Sequence, residues 1–238
     1  RDRITKYLSR KIISEEEKQR VSLNVEYCSD LRDINDADLV IESIREDFDL
    51  KVDLLKRASG FMSEGAILTT NTSSLSIRRL EKSLPDERTF GGLHFFNPAL
   101  RMELVEIIVS PQMNESSSAW LREFCERIGK SPVLIKDSPG FIVNRLMAAQ
   151  INHAIKMFEE GVATVEDIDK GVTLGLLHPL GPLALADLIG LDTVKKILDS
   201  LYEQTRDVTF RASEILSQKV NEGKLGKKSG AGFYDYNQ

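Results

Sequence analysis

Cysteine is scarce. Cys28 and Cys125 are the two in 238 residues, and they form no CxxC pair, so neither a zinc site nor any other metal site is predicted, nor a disulfide framework. A reducing intracellular compartment fits that usage, the cytoplasm first and the mitochondrial matrix as an open alternative. Basic residues are not in excess: 32 Lys and Arg face 37 Asp and Glu, and no basic stripe follows a phosphate backbone, which argues against a nucleic-acid partner. No apolar run approaches the roughly 18 residues of a membrane span. Residues 1–10 are charged and carry no apolar core of a secretory signal. No Met opens the sequence, which predicts that it begins inside a longer protein. Finally, no G-x-G-x-x-G follows a strand, and the glycines of 223–232 have neither the spacing nor the preceding strand of a phosphate loop.

What is present is a globular composition, 41% hydrophobic and 29% charged, long enough for one large domain or two modest ones. The front part alternates short β-rich runs with helical stretches, as a doubly wound sheet does. Strands are predicted at 38–44, 67–70, 89–96, 104–109 and 133–135, with a further short candidate at 24–27. Helices are predicted at 50–58, around Leu80, and at 116–128. Near Lys136–Gly140 the pattern breaks, and the rest of the chain has helical period: 141–160 with a broad apolar surface, then starts at Thr164, Pro182 and Asp192. The expected fold is therefore α/β: a Rossmann-like doubly wound parallel sheet over 1–138, without its first βαβ unit, followed by an all-helical domain over 139–238. The wide apolar faces of 141–160 and 182–198 predict a homodimer through the helical domain.

Three histidines offer themselves for chemistry. His153 lies mid-helix among apolar neighbours and reads as packed in a core or interface, and His178 as structural in a loop. His94 ends an apolar strand, where polar side chains face the ligand crevice of such sheets. Glu106 lies on the next strand. A carboxylate on one imidazole nitrogen fixes the tautomer and leaves the other to move a proton, so the pair is either a catalytic dyad or a structural ion pair, and spacing leaves both open. Likewise Asn71-Thr72-Ser73-Ser74 reads either as the N-cap of the next helix or as a turn presenting a hydroxyl to a substrate oxygen.

In order along the chain, Asn71-Thr72-Ser73-Ser74-Leu75, Leu93-His94-Phe95-Phe96-Asn97-Pro98, Leu104-Val105-Glu106, Asp137-Ser138-Pro139-Gly140-Phe141-Ile142-Val143-Asn144-Arg145, His178-Pro179-Leu180-Gly181-Pro182 and the closing Gly226-Lys227-Lys228-Ser229-Gly230-Ala231-Gly232-Phe233-Tyr234 resemble the L-3-hydroxyacyl-CoA dehydrogenase family, above all its short single-function 3-hydroxybutyryl-CoA members. The resemblance implies His94 as general base with Glu106 as its partner, and Ser73 and Asn144 as holders of the substrate's reacting oxygen and thioester region. It implies cofactor contacts at Glu46, Lys51, Ser73, Asn97 and Lys228, NAD as cofactor, an acyl-CoA substrate and a homodimer. It further implies that residues 1–20 stand where the family's coenzyme A-contacting helical pair lies. The rival expectations are a related dehydrogenase of non-CoA hydroxy acids and a non-catalytic fragment or binding module.

Overall fold

A computed structural model describes residues 14–84 and 88–237. The first 13 residues of the presumed coenzyme A-contacting helical pair lie outside the described residues. Helix α1 (Glu15–Asn24) is strongly polar and leads into an exposed irregular stretch. The strand predicted at 24–27 is not formed: no described strand lies beside it to take its backbone hydrogen bonds.

Five strands lie in one sheet, in sequence order: β1 (Leu39–Glu42), β2 (Ile67–Thr70), β3 (Phe90–Phe95), β4 (Leu104–Val109) and β5 (Ser131–Lys136). Helices α2 (Phe48–Ser59) and α3 (Ile77–Glu81) carry the chain across so that β1, β2 and β3 are parallel, as expected for a doubly wound sheet. The sheet is mixed rather than wholly parallel, because β4 runs antiparallel to β3. The connection between them, 96–103, holds no helix, and a link that short returns the chain instead of crossing it over. Helix α4 (Glu115–Arg127), capped by Asn114, restores a parallel step to β5. Leu55, Leu68, Leu80 and Phe90 pack in one apolar cluster, and Leu93, Ile107 and Leu121 in another.

The remainder is helical: α5 (Val143–Glu159), α6 (Val165–Gly175), α7 (Pro182–Ile189), α8 (Leu191–Thr205) and α9 (Glu214–Asn221). Thr164 caps α6 and Pro182 opens α7, both as the sequence pattern predicts. Part of the apolar surface of α5 is covered inside the chain, since Ile151 and Ile155 pack with Leu183, Leu198 and Leu201 in one core, while Leu146 stays 68% exposed. His153, read as packed in a core or an interface, lies outside this chain's core, exposed on the outer side of α5, and His178 is half-buried in the α6–α7 connection.

Two buried carboxylates tie the chain's end to this core. Asp187, with no exposed surface, accepts the backbone N–H of Phe233 and Tyr234, both at 2.9 Å, while Asp169 accepts the Tyr234 hydroxyl at 2.8 Å. The approach is so close that a Cβ on Gly232 would lie 2.0 Å from the Asp187 carboxylate, which explains the glycine there. Among the described residues no helix is long and apolar enough to cross a membrane.

Candidate active site

Antiparallel register places His94 directly opposite Glu106, so their side chains share one face of the sheet. His94 Nδ1 lies 2.8 Å from Glu106 Oε2, and both residues are buried. The other carboxylate oxygen, Oε1, accepts the backbone N–H groups of Ile142 (3.0 Å) and Val143 (3.1 Å). These are free donors of the first turn of α5, which has no side-chain cap of its own. Burial pushes the Glu106 carboxyl up, but the His94 hydrogen bond, the two helix N–H groups and the imidazole's charge together hold it below its ordinary range. An ionised Glu106 is a pure acceptor, so the proton on the facing imidazole nitrogen sits on Nδ1, and Nε2 is left as the basic nitrogen.

Phe141 makes this junction possible. It has φ +51°, a left-handed conformation rarely taken by a residue with a bulky side chain, and follows Gly140 at φ +72°. The turn delivers the α5 N-terminus to Glu106 and sets the Phe141 ring 5.6 Å from the imidazole, centre to centre, while Phe96 stands at 4.6 Å. Two aromatic rings thus border His94, a role that residue types alone did not single out.

Beside the dyad, the turn after β2 gathers around Glu46. Glu46 Oε1 accepts the hydroxyls of Thr72 and Ser74 and the backbone N–H groups of Ser73 and Ser74. Burial raises the Glu46 pKa, and those hydrogen bonds with the nearby Lys51 charge outweigh it and lower the value. The Asn71–Ser74 turn is not the cap of the next helix: Ser76 caps α3, and Asn71 instead accepts the N–H of Phe95 at 2.8 Å, joining the ends of β2 and β3. The Ser73 hydroxyl has no partner among the described residues, and the Ser73 carbonyl accepts from Asn144 Nδ2 at 3.1 Å. Ser73, Asn144 and Glu46 line a cavity of about 450 Å³ whose opposite wall is α8.

The remaining expected cofactor contacts, Lys51, Asn97 and Lys228, are not among the residues lining that cavity. Lys51 is buried at 1% exposure, its ammonium held by both oxygens of Glu42, the carbonyl of Ile44 and, at 3.4 Å, Glu46. It reaches the crevice through Glu46 rather than by its own tip. Asn97 is exposed on the 96–103 connection, and Lys228 pairs with Asp192 at the start of α8. Glu42 and Thr72 are fully engaged supports that the sequence reading missed; an acid ending a strand, six residues before a helix start, was the available signal for Glu42.

Comparison with known proteins divides the chain at the same place. Residues 1–138 match the family model "3-hydroxyacyl-CoA dehydrogenase, NAD binding domain", and residues 140–236 match "3-hydroxyacyl-CoA dehydrogenase, C-terminal domain". A 3-hydroxybutyryl-CoA dehydrogenase of Clostridioides difficile is 40% identical over 93% of the chain and 79% of its own length. The mitochondrial hydroxyacyl-coenzyme A dehydrogenase of Mus musculus is 43% identical over 85% of the chain and 65% of its own length. The crystal structure of (S)-3-hydroxybutyryl-CoA dehydrogenase from Ralstonia eutropha superposes with a TM-score of 0.91 at 37% identity, covering 100% of this chain and 84% of that one.

Proposed function

The chain belongs to the 3-hydroxyacyl-CoA dehydrogenase family, and from that premise we propose that it interconverts 3-hydroxyacyl-CoA and 3-oxoacyl-CoA with NAD, His94 serving as the general base. The observation that carries this reading is the buried His94–Glu106 pair, its second carboxylate oxygen anchored to the α5 N-terminus, beside a cavity bearing the Ser73 hydroxyl and Asn144. The ends of three parallel strands and the Glu46-organised turn form the kind of crevice in which doubly wound sheets take nucleotides, so the residues present fit the nicotinamide end of the cofactor.

Bound NAD supplies the hydride acceptor. His94 Nε2 takes the proton of the C3 hydroxyl as the C3–H bond gives up its hydride, and the imidazolium returns that proton when the 3-oxo group is reduced. Glu106 stabilises the imidazolium and keeps the reactive tautomer. Ser73 and Asn144 donate to the substrate's oxygens, where negative charge develops, and Glu46, Asn97 and Lys228 serve the cofactor. The reading also takes 1–138 as the cofactor-binding domain and 139–238 as the substrate and dimerising domain, in a reducing compartment such as the cytoplasm or mitochondrial matrix.

The test is NADH formation by the purified protein with 3-hydroxybutyryl-CoA, beside the free 3-hydroxy acid. Activity that depends on the thioester supports the reading. Activity with the free acid alone transfers it to the non-CoA dehydrogenases of this fold.

A further inference from the structure

Glu42 is the last residue of β1, and its side chain is 2% exposed. A carboxylate is expensive to bury, and this one is held by several donors at once. One oxygen accepts the Ile44 N–H at 2.6 Å, and the other accepts the hydroxyl of Thr70, which parallel pairing sets directly alongside. Both oxygens receive the Lys51 ammonium, at 2.8 and 3.0 Å. The Glu42 backbone carbonyl accepts the N–H of Asn71 at 2.7 Å, where the 71–74 turn begins. The exit of β1, the end of β2 and helix α2 therefore meet on one residue, which does not line the cavity and takes no part in the chemistry proposed above.

Lys51 is shared unequally between two acids. Its ammonium lies within 3.0 Å of both Glu42 oxygens but 3.4 Å from Glu46 Oε2, beyond good hydrogen-bond length. Glu46 is the acid with room to move, since its side chain is 35% exposed. Its other oxygen is committed to the turn, where it accepts the Thr72 and Ser74 hydroxyls and the Ser73 and Ser74 N–H groups. An unpaired buried charge is among the most costly groups a fold can hold, so an ammonium deprived of its main partner draws in the next carboxylate. That carboxylate is Glu46. Its movement toward Lys51 would take Oε1 off the Ser73 and Ser74 N–H groups and release the turn that carries the Ser73 hydroxyl.

Resting on the function proposed above, we infer that Glu42 is a positioning residue of the cofactor site. By taking most of the Lys51 ammonium it leaves Glu46 on the 72–74 turn, and so fixes the lip of the crevice that receives the nicotinamide end of NAD.

Two measurements on the full chain test this: the Kd for NAD by calorimetric titration, and amide hydrogen exchange at Ser73 and Ser74 in the cofactor-free protein. Glu42→Gln should raise the Kd about 10-fold and speed the exchange by a similar factor, as loss of a hydrogen bond to a charged group does. Thr70→Val removes a different hydrogen bond to the same carboxylate and leaves the Lys51 pair intact. It should lower the urea midpoint while both readouts stay at their wild-type values. Should Glu42→Gln fail to fold, Glu42→Asp carries the comparison, since its shorter side chain keeps the charge but draws it back from Lys51; a smaller rise in both readouts is then expected. Wild-type values of Kd and exchange in the folded variant, whatever its loss of stability, make the carboxylate a support of the fold alone and overturn the inference. So does a change in one readout without the other, or a Thr70→Val variant as impaired as Glu42→Gln. Wild-type protein that binds no NAD strikes at the proposed function itself, whereas the exchange, read without cofactor, still decides whether Glu42 holds the turn.

Discussion

Glu106 and Val143 are joined by a 3.1 Å hydrogen bond from the helix N–H to Oε1, and that bond places the partner of His94 at the start of the helical unit. The remaining oxygen of the same carboxylate holds His94 at 2.8 Å. One side chain thus links the sheet that carries the base to the helix that carries Asn144, and the Asn144–Ser73 bond crosses the same seam a short way off. The orientation of the imidazole depends on how the two units dock.

His94→Gln removes the proton acceptor from a buried position without adding volume. Turnover should fall by about 10²- to 10⁴-fold, with the KM for the thioester changed far less, because the general base acts in the transition state. Steady-state kinetics with 3-hydroxybutyryl-CoA measure it; a variant with wild-type turnover removes His94 from the mechanism.

Glu106→Gln is more damaging than its shape suggests. Both carboxylate oxygens accept hydrogen bonds, and an amide has one acceptor oxygen to offer. If that oxygen caps α5, the NH₂ group faces His94 Nδ1 and moves the imidazole proton to Nε2, so the base is blocked. Turnover should drop by about 10²-fold or more, as expected for a wrong tautomer. Nitrogen NMR shifts of the imidazole should report the protonated Nε2; an unchanged tautomer with full activity contradicts this account.

The same carboxylate sets an acid limb of stability. Folding lowers the pKa of Glu106, so its stabilising effect is complete above the unfolded carboxylate value, near 4, and is lost as pH falls from there through the lower folded value. Glu46 adds in the same direction. Denaturant midpoints measured from pH 7 to pH 3 should show wild type losing its advantage over Glu106→Gln in the most acidic part of that range. A constant difference down to pH 3 would show that the carboxylate's charge is not the stabilising feature.

How much of this was legible in the sequence depends on the range of the interaction. His94 and Glu106 stand on adjacent strands, and strand periodicity with the chain's short return is enough to bring them near one another. The second role of Glu106 was hidden, because it depends on a helix start 36 residues away in sequence and on the left-handed turn at Phe141. Lys51 read as a cofactor contact, yet a buried acid at the end of β1 draws its ammonium inward, and that attraction is tertiary. The broad apolar surface of 141–160 is real, but periodicity cannot tell whether its cover comes from the same chain or from another; α7 and α8 supply most of it.

The lock on the chain's end makes a stability prediction independent of catalysis. Asp187→Ala strands the Phe233 and Tyr234 N–H groups next to a buried void, and unfolding should become easier by about 2 kcal/mol or more. Gly232→Ala drives a methyl group into the Asp187 carboxylate and should cost about 1–3 kcal/mol by overpacking. Urea titrations measure both. Wild-type midpoints in either variant would mean that the tail is not held by Asp187.

Association remains the reading in which exposed leucines matter most. With the inner face of α5 covered by its own chain, the apolar surface left over on the helical unit includes the end of α6 and the connection to α7, where Leu174 is 69%, Leu176 61% and Leu177 86% exposed. Three large apolar side chains clustered at a helix end are a poor solvent surface, and a self-complementary patch shared by two copies is the common way to cover one. The protein should run as a dimer in light scattering at micromolar concentration. Leu177→Glu, which places a charge at the most exposed of these positions, should shift it toward monomer while leaving the fold intact by circular dichroism. A wild-type monomer would refute dimerisation, and a variant that stays fully dimeric would move the interface to another face of the helical unit.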